Sequence, residues 1–274
     1  MVKLTMKTHS KVIYYITIGV LLVAFLLPFI PLFINSFAYD FRWPSVIPKN
    51  ASVRALKYVF YENSSTYESI FNTIIIAISV VVIDILLATP AAFSLVRYEF
   101  KGKVIIKGLL FAPIIIPSFT AIMGMYVVFL KLGLTESIYG VILAHILPTL
   151  PYMIMALMVS YSTVDTALEE QAAVLGAGPI SRFIYIILPH ILPGMVAGAS
   201  FTFLISISQY FLTFLVGGGK VSTIAIVMFP FISGGDNAIG SVYGVLFSAL
   251  AIINLVLIDF ILKKYYKKRK FKII

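Results

Sequence analysis

Long stretches of apolar residues, separated by shorter polar segments, run along the whole chain. A helix needs about 20 apolar residues to cross the hydrocarbon core of a bilayer, and each of these stretches is long enough. The pattern therefore predicts an all-α membrane protein in which residues 1–274 form a single transmembrane domain. We predict six spans, at residues 12–37, 70–96, 105–130, 138–161, 191–215 and 238–262.

The composition agrees with lipid as the main solvent of this chain. Hydrophobic residues make up 61% of the sequence and charged residues 12%, whereas soluble domains have about 25% charged residues. The chain has no cysteine, which excludes disulfides, thiolate metal sites and cysteine nucleophiles. The first apolar run, 12–37, is too long for a signal peptide and lacks a small-x-small cleavage site at its end, so we interpret it as a retained span.

The net charge of +10 is concentrated at the ends of the predicted spans. Lys3, Lys7 and Lys11 precede the first span, and seven basic residues lie between Lys263 and Lys272, directly after the last one. Basic flanks of this kind are typical of cytoplasmic ends and not of nucleic-acid binding. We therefore predict that both termini are cytoplasmic. Trp43, in the first outer segment, is predicted to be an interfacial anchor or a contact for an external partner.

Few polar residues interrupt the spans. An intramembrane carboxylate is costly, so Asp84 is a candidate for a translocation path, although a hydrogen bond that packs helices together explains it equally well. His145 is interpreted first as an interhelical donor and second as part of that path. Gln209 and Tyr210, in the outer half of the fifth span, can line a path or bond neighbouring helices.

No catalytic or metal site is predicted. The histidines, aspartates and glutamates have no metal-ligand spacing, and no serine, histidine and aspartate arrangement is typical of a hydrolase. The only glycine-rich stretch, Gly217-Gly218-Gly219-Lys220, is not a phosphate-binding loop, because Phe214 and Val221 stand where that loop has a glycine and a serine or threonine. We predict no nucleotide site on this chain.

The polar segment 162–190 has the pattern of two short helices on the cytoplasmic side. Apolar residues recur every three or four positions in its first half, as on one face of a helix. Thr166 with Glu169 fits a capping box, and Thr163 is an alternative N-cap. Gly176 can adopt the left-handed conformation that stops a helix, and Gly178-Pro179 can start a second one.

The same segment resembles the cytoplasmic motif of permease subunits of ABC importers, which reads Glu-Ala-Ala, three residues, Gly, nine residues, Ile-x-Leu-Pro. The chain has Glu170-Gln171-Ala172, then Gly176, then Ile186-Ile187-Leu188-Pro189, at the same spacing. It departs from the motif at Gln171, where a small-residue contact would be altered. The resemblance extends over the whole chain and implies a type I ABC importer permease fold, with six transmembrane helices and cytoplasmic coupling helices.

The resemblance also implies how such a chain works. In that family the short helix docks into a cleft on an ATP-binding subunit and transmits its closure to the spans, which give alternating access. The implied partners are two ABC ATPase subunits that hold ATP and Mg, a second permease (identical or homologous) and an external solute-binding protein, in a bacterial or archaeal cell membrane. The implied coupling residues are Glu170, Gln171, Ala172, Gly176, Ile186, Leu188 and Pro189.

The transported solute is predicted from a second resemblance. The run from Ser208 to Thr213, with Gly217-Gly218-Gly219 and Ser233-Gly234-Gly235-Asp236 after it, is similar to permeases of the spermidine/putrescine-type group. This similarity implies a polyamine or another small cation. The alternatives are a sugar, ferric iron, thiamine or an aminophosphonate. A different class of function, a carrier coupled to an ion gradient, is the alternative to the ABC importer, and it has no need of segment 162–190.

Overall fold

The computed structural model describes residues 8–39 and 50–270, with side chains for 14–39 and 50–265. Within these residues the fold is all-α, as predicted, and its only β feature is an isolated bridge between Ala38 and Ala51. The helices are α1 (Thr8–Leu26), α2 (Phe29–Ser36), α3 (Arg54–Lys57), α4 (Ser65–Arg97), α5 (Lys103–Ile115), α6 (Ser118–Lys131), α7 (Ile138–Ser162), α8 (Thr166–Val174), α9 (Pro179–Arg182), α10 (Leu188–Ile207), α11 (Tyr210–Gly217), α12 (Ile224–Gly234) and α13 (Asn237–Lys270), with π-helical turns at Tyr58–Glu62 and Phe183–Ile187.

Several predicted features lie outside the described residues. They are the aminoterminal Lys3 and Lys7, the outer segment that contains Trp43, and the end of the basic tail at Lys272. The side chain of Lys11 also falls outside. The roles predicted for these residues stay predictions.

Four of the helical runs are long and apolar enough to cross a membrane. They are Ser65–Arg97, Ile138–Ser162, Pro179–Ile207 and Asn237–Tyr265. These runs match the second, fourth, fifth and sixth predicted spans. Up to six spans result if each of two bent helix pairs, α1 with α2 and α5 with α6, counts as one span. The chain is therefore a multi-pass membrane protein.

The third predicted span, 105–130, is not the single straight helix that its apolar pattern suggested. Helices α5 and α6 meet at an angle of 107°. The break falls at Pro117, and Ile116 before it is extended, with φ −70° and ψ 134°. A proline disfavours the helical conformation in the residue before it, so the sequence carries the cause of this bend. Helices α1 and α2 meet at a smaller angle of 41°, next to Pro28.

The fifth predicted span, 191–215, is also broken. Helix α10 ends at Ile207 and α11 starts at Tyr210, because Gln209 leaves the helical conformation with φ −76° and ψ 87°. A further apolar helix, α12, lies between the fifth and sixth predicted spans, where no helix was predicted. Both predictions were therefore wrong in these details.

The chain divides into two compact units, and the candidate site residues belong to the larger one, Ser65–Val227 with Ala249–Ile274. This division does not test the prediction of a single domain, which stays a prediction. The core of the larger unit lies where α4, α7 and α10 pack together. Small side chains on α4 permit close packing of the helices. The fully buried residues of this core include Ala88, Ala92, Met153, Leu157 and Ile191.

The smaller unit, Met1–Ser64 with Met228–Ser248, is joined by polar contacts. The guanidinium of Arg54 donates to both carboxylate oxygens of Asp236, at 3.1 and 3.0 Å. The Asn63 amide donates to the Tyr243 hydroxyl at 2.9 Å. These contacts fix the segment that precedes α4 against the start of α13 within this unit.

Candidate functional site

Segment 162–190 contains the first predicted short helix, but the second one is not separate from the fifth span: helical structure runs without a break from Pro179 to Ile207. Helix α8, of nine residues, is followed by a turn and by the four-residue α9, which continues through a π-helical turn into α10. Gly178 is the N-cap of α9 and Pro179 takes its first position. Proline is favoured there because its missing N–H would have no intrahelical partner in any case.

Helix α8 begins differently from the prediction. Its N-cap is Asp165, whose Oδ1 accepts a hydrogen bond from the Ala167 N–H at 2.9 Å. The capping box of Thr166 with Glu169 is therefore wrong, because Asp165 already satisfies the helix start. Thr163 is not the cap either, since its hydroxyl donates to the Ser160 carbonyl at 2.8 Å at the end of α7.

Helix α8 ends as predicted, at Gly176. This residue has φ +86°, a conformation that favours glycine. The Gly176 N–H donates to the Ala173 carbonyl at 3.0 Å, and the Ala177 N–H donates to the Ala172 carbonyl at 2.9 Å. This pair of bonds is a Schellman motif, which satisfies carbonyls that the end of the helix leaves free.

Two adjacent carboxylates on α8 have opposite environments. Glu169 is half-buried and its Oε1 accepts from the Arg97 guanidinium at 2.7 Å. Glu170 is exposed, and it borders an open depression together with Ala167, Gln171 and Val174. The outward side of α8 therefore offers one carboxylate beside apolar side chains.

Exposed apolar side chains extend this surface beyond α8. Val174 is 88% exposed and Leu175 87% exposed. Ile180 on α9 is 76% exposed, and Tyr185 in the π-helical turn after α9 is 75% exposed. The family motif did not point to Ile180 or Tyr185. We call the surface formed by Glu170, Gln171, Val174, Leu175, Ile180 and Tyr185 the α8–α9 surface.

The second half of the motif lies elsewhere. Pro189 is buried, Ile186 and Leu188 are half-buried, and the intervening Ile187 belongs to the core between α4, α7 and α10. Ala172 is half-buried within α8. The motif residues thus divide into an exposed group on α8 and a group that anchors α10 in the core.

The predicted path residue Asp84 lies in the middle of this core. Its side chain is fully buried, and its Oδ2 accepts from the Thr202 hydroxyl of α10 at 3.1 Å. Its Oδ1 is buried without a hydrogen-bond partner among the described residues. Asp84 therefore connects α4 to α10.

His145 bridges the break in the fifth span. Its Nδ1 lies 2.9 Å from the Ser206 hydroxyl of α10, and its Nε2 lies 2.9 Å from the Thr213 hydroxyl of α11. Because the Thr213 hydroxyl donates to the Gln209 carbonyl, it accepts from His145, which assigns the proton to Nε2. The Ser206 hydroxyl then donates to Nδ1. This geometry agrees with the interpretation of His145 as an interhelical partner.

The other two path candidates lie at the same break. Gln209 lines a cavity of about 60 Å³, together with Ser118 of α6 and Pro148 of α7. Tyr210 stacks on Phe214, with ring centroids 5.9 Å apart. The structure thus places Gln209 next to the hydrogen-bond chain of His145, while Asp84 has its own partner on α10.

Comparison with known proteins assigns the family. The family model described as "binding-protein-dependent transport system inner membrane component" matches residues 6–272. The chain belongs to this family. Members are membrane components of ABC importers with the ATPase on a separate subunit, so this permease is a transport subunit and not an enzyme. The family assignment argues against the alternative of a carrier coupled to an ion gradient.

Individual relatives differ in the solute that their names give. This permease is 25% identical over 198 residues to the spermidine/putrescine transport system permease protein PotC of Haemophilus influenzae, covering 71% of this chain and 77% of the relative. It is 31% identical over 165 residues to the maltodextrin transport system permease protein MdxG of Bacillus subtilis, covering 59% of each.

A solved structure confirms the fold. It is the crystal structure of a bacterial ABC transporter involved in the import of the acidic polysaccharide alginate. The match has a TM-score of 0.68 at 14% identity, and it covers 93% of this permease and 96% of that chain. At this identity the likeness shows the fold alone, which fits the predicted type I permease fold.

Proposed function

We propose that this permease moves a small solute by alternating access and is driven by ATPase subunits that dock on the α8–α9 surface. The observation that carries the proposal is the exposed carboxylate of Glu170 next to Val174 and Leu175, which are 88% and 87% exposed. Exposed apolar side chains in a contiguous patch mark a partner surface. A carboxylate within such a patch adds charge complementarity to a basic or donor group.

The partners follow from this arrangement and from the family. They are two ATPase subunits that hold ATP and Mg, a second permease subunit and a solute-binding protein. In the docking segment, the positive φ of Gly176 sets the turn between α8 and α9. Burial of Pro189 and the core contacts of Ile187 and Ile191 give the segment a fixed base. A fixed base is what allows a displacement of α8 to reach the spans.

The proposed orientation places the α8–α9 surface and both termini in the cytoplasm. This orientation has a direct test, because the chain has no cysteine of its own. In intact cells an impermeant thiol reagent should label Tyr61→Cys, at a position 85% exposed, from outside, and should label Val174→Cys only after the membrane is opened. Labelling of both variants from outside would contradict the orientation.

The solute is proposed to be a polyamine or a similar small cation. Support comes from the PotC relative and from the buried carboxylate of Asp84, whose Oδ1 has no hydrogen-bond partner among the described residues. A carbohydrate is the second candidate, because the maltodextrin permease MdxG is a relative too. The coupling proposal does not depend on which of the two is correct.

Uptake separates these candidates. The importer, reconstituted in liposomes with its ATPase subunits and binding protein, should take up labelled putrescine or spermidine only when ATP is present. Unlabelled polyamine should compete for uptake, and maltodextrin should not. Competition by maltodextrin without competition by polyamine would assign the permease to carbohydrate import instead.

A further inference from the structure

The side chain of Arg97 joins the end of α4 to α8 and to the residues just before it. The Nη2 of Arg97, the last residue of α4, donates to the Glu169 Oε1 at 2.7 Å and to the Val164 carbonyl at 3.0 Å. The side chains of Arg97 and Glu169 are only 15% and 17% exposed. An ion pair shielded in this way is less screened by salt than a surface pair, so it can hold a geometry under load.

Glu169 and Glu170 lie on two different sides of α8. Glu170 lies on the exposed α8–α9 surface, whereas Glu169 is turned toward α4. Docking on one side of α8 therefore leaves the contact with Arg97 intact. Both sides belong to the same nine-residue helix, so a displacement of one side moves the other.

Apolar side chains pack next to the contact between Arg97 and Glu169. The ring of Tyr161, at the end of α7, meets the ring of Phe93 of α4, with centroids 5.6 Å apart. Val164 is 3% exposed and belongs to the same apolar cluster. The Arg97 guanidinium thus lies between a packed base and the half-buried side of α8.

The far end of α4 holds a different segment. Helix α4 has 33 residues and is about 50 Å long at 1.5 Å per residue. Near its start the Asn72 amide donates to the Ser222 carbonyl at 3.0 Å, and the Thr73 hydroxyl accepts from the Ile224 N–H at 3.0 Å. Thr73 and Ile224 are both buried. Helix α4 therefore connects α8 to segment 222–224 by hydrogen bonds at its two ends.

We propose that Arg97 is a positioning residue that transmits the displacement of α8 to α4, and through α4 to segment 222–224. The proposal rests on the proposed function, in which ATPase subunits dock on the opposite side of α8. Arg97 serves this purpose through geometry as well as charge. A guanidinium presents several donors in a rigid plane and can hold a carboxylate and a carbonyl together, whereas a lysine ammonium is a point charge on a flexible stem.

The test compares charge reversal with charge exchange in the complete importer. Arg97→Glu and Glu169→Arg should each reduce solute uptake by about tenfold, the size expected when a coupling contact is lost. ATPase subunits should still co-purify, because the α8–α9 surface is unchanged, and ATP hydrolysis should continue without uptake. The double variant Arg97→Glu with Glu169→Arg should restore part of the uptake, because it re-forms the ion pair but not the hydrogen bond to the Val164 carbonyl. Arg97→Lys should give an intermediate rate.

A matched control lies in the same loop. Lys103 donates to Glu99 at 2.6 Å, which lowers the pKa of the exposed Glu99 carboxyl, and to the Tyr98 carbonyl at 2.9 Å. Among the described residues neither side chain has a hydrogen bond or ion pair to α8. Glu99→Lys and Lys103→Glu reverse the same charges within a few residues of Arg97. They should transport at the wild-type rate. A loss equal to that of Arg97→Glu would show an effect of loop charge and would overturn the proposal.

A second measurement follows the far end of α4 directly. Ser222→Cys provides a single thiol, and its labelling rate should change when ATP is added to the importer. In the Arg97→Glu background that change should be absent, and in the charge-exchanged background it should return. An ATP response that persists in Arg97→Glu would exclude transmission through this contact.

Other outcomes are equally decisive. Wild-type uptake in both Arg97→Glu and Glu169→Arg would overturn the proposed role of Arg97. Loss of ATPase co-purification in these variants would also overturn it, because Arg97 would then belong to the docking surface. Inserted double variants without restored uptake would also overturn it. Glu170→Lys, measured in parallel, tests the docking surface alone, so failure of the proposed function is distinguishable from failure of this inference.

Discussion

Replacing Glu170 with lysine is expected to abolish uptake while leaving the permease folded and inserted. Glu170 is exposed, belongs to no core cluster and lies on a short helix outside the spans, so its replacement removes no buried contact within the chain. At a docked interface the new ammonium would stand where a carboxylate meets a donor. Truncating or reversing one partner of such a desolvated pair costs about 2–5 kcal/mol.

That cost corresponds to a loss of roughly 30-fold or more in association with the ATPase subunit, at 1.4 kcal/mol per factor of ten. Co-purification of ATPase subunits and ATP-dependent uptake would be measured on the same preparations. Glu170→Gln keeps the shape and removes the charge, so it should give a smaller loss. Glu62→Lys, the same change at an exposed position before α4, should behave as wild type.

The experiment has one outcome that the docking proposal does not survive. Suppose that the Glu170→Lys variant inserts, retains the ATPase subunits and transports at the wild-type rate. That result would exclude the α8–α9 surface as the coupling interface. The family assignment would stand in that case, because the match over residues 6–272 is independent of Glu170.

The long helices could be predicted from the sequence because each one follows from a long run of apolar residues. Apolar runs such as 138–161 agree closely with Ile138–Ser162, since lipid leaves a helix as the only way to satisfy the backbone of an isolated span. The breaks were not predicted. Pro117 carried a signal for the bend between α5 and α6, but Pro90 within α4 carries the same signal and leaves that helix continuous.

The candidate site, like the long helices, was predicted only in part. The local signals at Gly176 and at Gly178-Pro179 predicted the turn of the docking segment, because positive φ and fixed φ are properties of those residues themselves. The different environments of Glu169 and Glu170 could not be predicted. They depend on Arg97, which lies on another helix and far away in the sequence. Pairing across helices is a property of packing and not of local pattern.

The contact between α7 and α10 depends on glycine, and Gly194→Leu is expected to disrupt it. Gly194 and Gly198 are four residues apart on α10, in the arrangement that lets helices approach closely in membranes. A Cβ at Gly194 would lie 2.2 Å from the Ser160 hydroxyl oxygen and 2.5 Å from the Ala156 carbonyl oxygen. The serine hydroxyl can rotate away, but the carbonyl oxygen belongs to the backbone of α7, so the two helices would have to separate.

Two effects oppose each other in the smaller change Gly194→Ala. Helix propensity favours alanine over glycine by about 1 kcal/mol. Extra atoms in a packed core typically cost about 1–3 kcal/mol, and occasionally more. A Cβ 2.5 Å from a backbone oxygen is far inside normal contact, so the clash should outweigh the propensity. Gly194→Ala should therefore be destabilised, and Gly194→Leu more strongly.

Thermal unfolding of the purified importer in detergent would measure this effect. Gly194→Leu should lower Tm by roughly 6–12 °C. This range assumes a destabilisation of ~3 kcal/mol, and each kcal/mol lowers Tm by about 2–4 °C for a domain of this size. Gly124→Leu is the matched control, because a Cβ at Gly124 of α6 would have no atom within 4 Å. Equal Tm values for Gly194→Leu and Gly124→Leu would mean that α7 and α10 are not in close contact.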